Sequence, residues 1–202
     1  MRRYGARVQE NAESVRLTLE FIDALNDVAG IHAMAVMGVA AMLSVAEDLP
    51  APQPDSTLFV GHGDPNAEDG FAYQQWPIRS LPERLAPEGP VVRALGQQWL
   101  VMVAALWNDH YRAPIAAALG VEKNDLADVA MADVNRMRND VVHHRGIATQ
   151  RNTGRCEVFR WFDVGEPIHV MLAHVAELMG YLGNVQPTRD VGGGEWEARG
   201  GF

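Results

Sequence analysis

Apolar residues recur every three or four positions over long stretches of this chain, and this spacing limits the fold more than any other feature. The pattern starts near Val8, continues from Ile31 to Glu47 after a break or bend expected at Gly30, returns from Val91 to Leu119, and appears twice more after Gly120. Such a repeat is typical of helices with one buried face. The sequence therefore predicts an all-α bundle of four to five helices with a long inserted loop and at most a minor β-hairpin.

Composition favours one folded domain. With 202 residues and 48% hydrophobic side chains, the chain is long enough for one core and short for two. We predict a single helical domain over residues 1–182. Residues 183–202 contain six glycines and are predicted to form a flexible tail.

A proline-rich, acidic segment, residues 49–90, interrupts the helical pattern with eight of the eleven prolines. Within it, Ser56 to Val60 and Phe71 to Trp76 are predicted to pair as short strands around a His62-Gly-Asp64 turn. An aspartate-capped turn is favoured there over a metal-ligand pair of His62 and Asp64. A loop of this length is usually functional, and its acidity fits a lid over a basic site or a dock for a regulator.

Charge is segregated along the chain. The formal charge of −9 argues against a protein that coats nucleic acid indiscriminately, because such binding needs many phosphate contacts. Residues 45–90 have eight acids against two arginines, a net charge of −6, whereas residues 136–160 have six arginines against two acids, a net charge of +4. A local basic site is therefore expected in the second half of the chain.

Cysteine usage and hydropathy favour the cytoplasm. The only cysteine, Cys156, cannot form an internal disulfide, and we expect no signal peptide. The uncharged stretch from Ile31 to Ala46 contains 16 residues, short of the roughly 20 that a bilayer span needs. We therefore predict a helix central to the bundle or to a dimer, and no membrane contact.

The helix from Val91 to Leu119 is predicted to be kinked at Pro114, which cannot bond the carbonyl of His110. His110 continues the apolar stripe, so a hydrogen-bonded core histidine is favoured over a catalyst. Gly120 should end this helix, Asn124 should cap the next, and a strand over residues 156–162 and a last helix from Pro167 should follow.

The next helix organises the rest of the chain. Its main apolar row is Leu126, Ala130, Val134, Met137 and Val141, and Arg138 is the one polar member of an adjoining row with Met131, Val134 and Val142. An arginine in an apolar row needs a partner. The helix ends in His143-His-Arg-Gly146, where Gly146 is a plausible left-handed stop.

Arg138-Asn-Asp-Val-Val-His143 resembles the arginine-polar-x(3–5)-histidine motif of the HEPN superfamily, helical proteins directed at nucleic acids. The resemblance covers the motif and its helix. It implies a metal-independent RNA endonuclease of toxin or defence type, built across a homodimer and needing no cofactor. It assigns catalysis to Arg138, His143, Asn139 and His144, and substrate binding to Arg145, Arg136 and Asp140.

The implied chemistry suits these side chains. A histidine can take the proton of an RNA 2′-hydroxyl, and an arginine can hold the charge that develops on the phosphate. Asn139 would orient the phosphate or the histidine, and Asp140 would either fix an imidazole tautomer or form a surface charge pair. On an ideal helix His143 lies about 140° around from Arg138. Convergence therefore needs a second protomer or a frayed last turn.

Other interpretations remain open. A metal site lacks paired ligands beside His143 and His144, and Gly192-Gly-Gly194 has no nucleotide-loop context. A basic helix end that merely complements the helix dipole is the plainest alternative. The serious rival is a non-catalytic helical dimer of the same superfamily that binds RNA, a nucleotide or a partner protein, such as an antitoxin or regulator.

Overall fold

The computed structural model describes residues 11–48, 56–63, 67 and 70–184, and within them the all-α prediction is confirmed. The elements, in chain order, are α1 (Ala12–Asp48), β1 (Thr57–His62), β2 (Phe71–Pro77), α2 (Leu81–Leu85), α3 (Pro90–Ala105), a π-helix (Leu106–Tyr111), α4 (Arg112–Ala118), α5 (Val129–His143) and α6 (Leu172–Asn184). The predicted tail lies outside the described residues from position 185 onward.

The chain forms two compact units. The first comprises Met1–Ala33 and Gly96–Phe202, and the second comprises Met34–Leu95. The main apolar core belongs to the first unit, where Leu100, Val134 and Leu178 are fully buried. All the candidate site residues of α5 lie in this first unit.

The predicted hairpin is confirmed in the second unit. Strand β1 pairs antiparallel with β2, from Thr57 opposite Pro77 to His62 opposite Phe71, with a bulge after Val60. Gly63 follows β1 with φ of 71°, a conformation that favours glycine. Asp64, the predicted turn cap, lies outside the described residues.

Helix α1 runs without interruption through Gly30, so the predicted break there is wrong. Glycine costs a helix interior only about 1 kcal/mol relative to alanine, which the neighbouring turns outweigh. The predicted start near Val8 lies outside the described residues.

The second half of α1 is exposed in the single chain, so its predicted place at the centre of the bundle is wrong, whereas the alternative of a helix central to a dimer stays a prediction. Met34 and Met37 are each 67% exposed and Val45 is 64% exposed. The uncharged run reaches back to Val28. In the part of the chain that the structure describes, α1 is the one helix long and apolar enough to cross a membrane, a test that core helices and signal sequences also pass. The absence of membrane contact therefore stays a prediction.

The predicted disruption at Pro114 takes the form of the π-helix, which lies between α3 and α4. Pro114 cannot donate to the carbonyl one turn earlier, and the backbone widens there. The wider turn rotates His110 to the surface, so the prediction of a core histidine is wrong. Gly120, with φ of 70°, follows α4 as predicted.

Asp128 rather than Asn124 caps α5, because the helix begins only at Val129. The Asp128 carboxylate accepts a hydrogen bond from the amide of Met131 at 2.7 Å. Burial nonetheless raises the pKa of Asp128. The predicted main row is confirmed: Ala130, Val134 and Met137 are fully buried.

The predicted strand over residues 156–162 is absent from that described segment. Its amides bond to a buried carboxylate instead of a neighbouring strand. The last helix starts at Leu172 rather than Pro167, because Pro167 pairs with Ile147 in an isolated antiparallel bridge. The backbone amide of Met171 donates a hydrogen bond to His174 Nδ1 at 3.1 Å, which satisfies one of the free amides at the start of the helix.

Candidate functional site at the end of α5

The last turn of α5 is closed rather than frayed. The amides of His144 and Gly146 both donate to the carbonyl of Asp140, at 2.9 and 3.0 Å. Arg145 and Gly146 then adopt positive φ angles of 56° and 71°, so the predicted left-handed stop at Gly146 is confirmed. The structure therefore does not adopt the frayed turn that would swing an imidazole back towards Arg138.

Gln97 of α3 holds this turn from the other side. A Cβ on Gly146 would overlap the side-chain amide nitrogen of Gln97 and displace it, and the positive φ of Gly146 also favours glycine there. The same nitrogen donates to the carbonyl of Ile168 at 3.0 Å, and the amide of Ile168 donates to Gly146 at 2.7 Å. Sequence reasoning missed Gln97, because nothing in its local pattern distinguishes it from a surface glutamine.

Asp140 is fully buried and fastens the loop that follows α5. Its carboxylate accepts five hydrogen bonds: from the amide and hydroxyl of Thr149, the side-chain amide of Asn152, and the amide and hydroxyl of Thr153, at 2.7–3.0 Å. Burial opposes ionisation, but these bonds outweigh it and lower the pKa of Asp140 to about 2. The surface charge pair proposed for Asp140 is therefore wrong.

Asp133, seven residues earlier in α5, holds a later part of the same loop through hydrogen bonds to its carboxylate. It is fully buried and accepts the amides of Glu157, Val158 and Phe159 at 2.7–3.0 Å. It also accepts a hydrogen bond from Arg136 at 2.7 Å, and Arg136 reaches Glu157 at 3.3 Å. Arg136 is thus paired with two acids, and the substrate-binding role assigned to it stays a prediction.

A seven-residue spacing places Asp133 and Asp140 on one face of α5. Thr149, Asn152 and Thr153 supply side-chain donors to the second carboxylate. Two acids on one helix face, followed closely in sequence by side chains that donate hydrogen bonds, could have predicted that the loop is bonded to α5. The prediction instead treated Asp140 as part of the reactive site.

Arg138 and Asn139 form a pair at the surface. Arg138 is half-buried, and its Nη1 donates to Asn139 Oδ1 at 3.2 Å. The row that contains Arg138 leaves the core at this point, because Val142 is 49% exposed. Asn139 lies four residues before His143, so the two share a helix face. The pair therefore brings the guanidinium towards the face that carries His143.

The remaining predicted residues, His143, His144 and Arg145, are all exposed. His144 Nε2 lies 4.0 Å from Asp140 Oδ1, which is longer than a hydrogen bond. Asp140 therefore does not fix the imidazole tautomer in this geometry. Five of the seven predicted residues can meet a ligand, namely Arg138, Asn139, His143, His144 and Arg145.

Two other chemistries find little support near α5. The described residues contain no group of three His, Cys, Asp or Glu side chains that could hold a metal ion. Cys156 is buried, and burial, followed by the nearby charge of Asp133, raises its pKa to about 12. A thiol with that pKa is a poor nucleophile.

No protein-family model, curated protein or solved structure matches this chain. The resemblance to the HEPN superfamily therefore rests on the sequence motif in α5.

Proposed function

We propose that this protein is an RNA endonuclease of HEPN type, which cleaves through the RNA 2′-hydroxyl and needs no metal ion. The observation that carries the proposal is the pairing of Arg138 with Asn139 on a helix face that also bears an exposed histidine, His143. Together they offer a cation, a hydrogen-bonding amide and an imidazole, which can accept or donate a proton. These are the groups that cleavage of a phosphodiester by an internal nucleophile requires.

In the proposed reaction His143 removes the proton of the 2′-hydroxyl. The 2′-oxygen then bonds to phosphorus, and the bond from phosphorus to the 5′-oxygen breaks. A second imidazole returns a proton to that leaving oxygen, which yields a 2′,3′-cyclic phosphate and a 5′-hydroxyl. Arg138 stabilises the extra negative charge on the phosphate oxygens, and Asn139 orients one of them.

The need for both a base and an acid favours two copies of α5. His144 can serve as the acid only if it reaches the face of His143, yet adjacent residues on a helix diverge by about 100°. A two-fold axis beside α5 would bring the partner's copy of the same histidine to the other side of the phosphate. We therefore propose a homodimer whose interface includes α5.

Helices α3 and α5 offer a surface for this contact. They run antiparallel, because Asn108 of the π-helix that continues α3 bonds Asn135 of α5 at 2.6 Å, whereas Gln97 of α3 meets Gly146 just beyond the other end of α5. Between these points, Met102 of α3 (47% exposed) and Val142 of α5 (49% exposed) both reach solvent at about the same height along the helix axes. Burial of this pair against its symmetry mate would place Arg138 beside the interface.

A non-catalytic dimer that binds RNA, a nucleotide or a partner protein is the second candidate. One observation favours it: within the described residues, neither imidazole of the histidine pair makes a hydrogen bond to an orienting group. Catalytic histidines are usually held by such a group. A bound phosphate would have to supply this orientation.

The proposal is tested by cleavage of single-stranded RNA in the presence of a chelator. Arg138→Ala and His143→Ala should each lower the rate about 10² to 10⁴-fold, because each removes a charge-stabilising or proton-transferring group. His144→Ala should have a smaller effect. His110→Ala is the matched control, since it removes another exposed histidine of the first unit, and it should leave the rate unchanged.

Two outcomes would count against the proposed function. One is wild-type protein that is folded, dimeric and inert on varied RNAs, which would favour the binding module. The other is activity that the chelator abolishes and a divalent ion restores, which would demand another role for the histidines. Equal losses in the His110 control would show that the assay reports stability rather than chemistry.

A further inference from the structure

Exposed arginines are concentrated in the loop that follows α5, residues 144–162, called here the post-helix loop. We propose that Arg145, Arg151, Arg155 and Arg160 form a phosphate-binding track that holds the RNA backbone next to the histidines. This inference rests on the proposed function and adds to it the surface that positions the substrate.

The four arginines are exposed, and none of their guanidinium groups has an ion pair or hydrogen bond to the described part of the chain. Other cations in that part have partners: Arg16, Arg84, Arg93, Arg112, Lys123, Arg136 and Arg138. The exception is Arg79, in the second unit, which is exposed and equally without a partner. Such a cluster of unpaired cations is unexpected on a chain with a net charge of −9.

The post-helix loop is held in place. Arg151 lies between Thr149 and Asn152, which both bond to Asp140, so its backbone is fixed on either side. Asp133 holds residues 157–159, which separate Arg155 from Arg160. Cations on a fixed backbone lose less conformational entropy when they bind than cations on a mobile loop.

The acids of this region form no ion pair with the four arginines in the described part of the chain. Asp133 and Asp140 are fully buried, and their oxygens already accept backbone and side-chain donors. Glu157 is exposed but pairs with Arg136. The next exposed acids, Asp163 and Glu166, lie beyond the last arginine and mark the end of the basic surface.

The backbone of Arg145 gives a second, independent indication. Its φ of 56° lies in the left-handed region, which is unfavourable for residues other than glycine. It is the only such residue in the described part of the chain. Glycine would fit this position at lower cost, so the arginine side chain must contribute something other than stability.

RNA is the polyanion that this surface suits best. A guanidinium matches the geometry of a phosphate, and a track of several arginines matches a chain of phosphates rather than one anion. The track begins at Arg145, directly after His143 and His144, which places the bound backbone at the groups that would cleave it. An anionic lipid or an acidic protein could bind the arginines, but neither has a 2′-hydroxyl and phosphodiester for the adjacent histidines to act on.

The test measures binding without cleavage. A single-stranded 2′-O-methyl oligonucleotide keeps the phosphates but lacks the free 2′-hydroxyl, and its affinity is measured by fluorescence anisotropy over a salt series. The slope of log affinity against log salt is negative, and the double variant Arg151→Ala/Arg155→Ala should reduce its magnitude by about 1.4, since each lost phosphate contact reduces it by about 0.7. Arg145→Gly should reduce the magnitude of the slope by about 0.7 without lowering the urea midpoint. Arg79→Ala should change neither quantity.

The proposal is overturned if the double variant keeps the wild-type slope, if the Arg79 control changes it as much, or if wild-type protein does not bind the oligonucleotide. Vesicles containing phosphatidylserine form the second arm, and stronger arginine-dependent binding to vesicles than to the oligonucleotide also overturns it. The track and the nuclease fail separately. If the arginine variants keep the wild-type slope while cleavage is intact, the phosphate-binding track is rejected and the nuclease proposal stands. If binding depends on the arginines but the protein does not cleave RNA, the nuclease proposal is rejected and the track stands.

Discussion

Replacement of Asp140 by asparagine should destabilise the protein strongly at neutral pH and much less in acid. Asp140 is fully buried and accepts five hydrogen bonds from Thr149, Asn152 and Thr153. Asparagine keeps the shape but removes the charge and one acceptor oxygen. Its amide group would face donors from the loop, so at least one buried donor would lose its partner.

The magnitude has two sources. A folded pKa of about 2, against about 3.9 in the unfolded chain, corresponds to roughly 2.5 kcal/mol of stability at pH 7. An unpaired buried donor adds about 1–3 kcal/mol. The folded pKa is depressed, so the first contribution is complete above about pH 5 and is lost as pH falls from 4 towards 2. The second contribution does not depend on pH.

Urea unfolding of wild type and Asp140→Asn, followed by circular dichroism between pH 7 and pH 3, tests this account. The difference in unfolding free energy should be about 3.5–5.5 kcal/mol from pH 7 to pH 5. It should then shrink by about 1 kcal/mol between pH 4 and pH 3 as the wild-type carboxylate begins to lose its advantage. Other carboxylates titrate in both proteins and largely cancel. A difference below 1 kcal/mol at pH 7, or one that is constant down to pH 3, would refute the role assigned to Asp140.

Three further predictions follow from the same region. Gly146→Ala should lower the unfolding free energy by about 2 kcal/mol, through its positive φ and its contact with Gln97, and the loss should be smaller in a Gln97→Ala background; equal losses in both would contradict the contact. Native Cys156 should react with iodoacetamide at pH 8 about 10²-fold more slowly than a free thiol and rapidly once urea unfolds the chain, so fast native labelling would contradict its burial. Val142→Glu should convert a dimer to a monomer in light scattering at micromolar concentration, and a monomeric wild type would contradict the proposed interface.

The helical architecture could be predicted because it depends on periodicity, which is a local property of the sequence. The buried row Ala130, Val134 and Met137 is a clear example, since spacings of four and three define one face of a helix. Gly120 and Gly146 marked helix ends for an equally local reason, because positive φ favours glycine.

The errors arose where tertiary contacts outweighed local preference. The segment after Cys156 has the composition of a strand, but the Asp133 carboxylate takes the amides that a strand would offer to a neighbour. His110 followed the apolar stripe in sequence, yet the π-helix turned it outward. The exposure of Met34 and Met37 could not be foreseen, because a hydropathy pattern does not show whether another element covers an apolar helix.

Within the candidate site, the sequence located the residues but not their partners. Arg138, Asn139 and His143 were chosen for a short motif, and the hydrogen bond from Arg138 to Asn139 depends on a rotamer that sequence does not specify. Asp140 was predicted to bind substrate because it lies close to the histidines in the sequence. Its carboxylate points instead to a loop that lies nine to thirteen residues further along the chain.

The chemical identity of the RNA ends is the most direct test of the central proposal. Purified protein would be incubated with a defined single-stranded RNA in the presence of a chelator, and the products would be analysed by mass spectrometry. Attack by the 2′-oxygen predicts 2′,3′-cyclic phosphate and 5′-hydroxyl ends, and a single 2′-deoxy substitution should block cleavage at that position alone. Products with 5′-phosphate ends, or continued cleavage at the deoxy position, would contradict the roles proposed for Arg138 and His143.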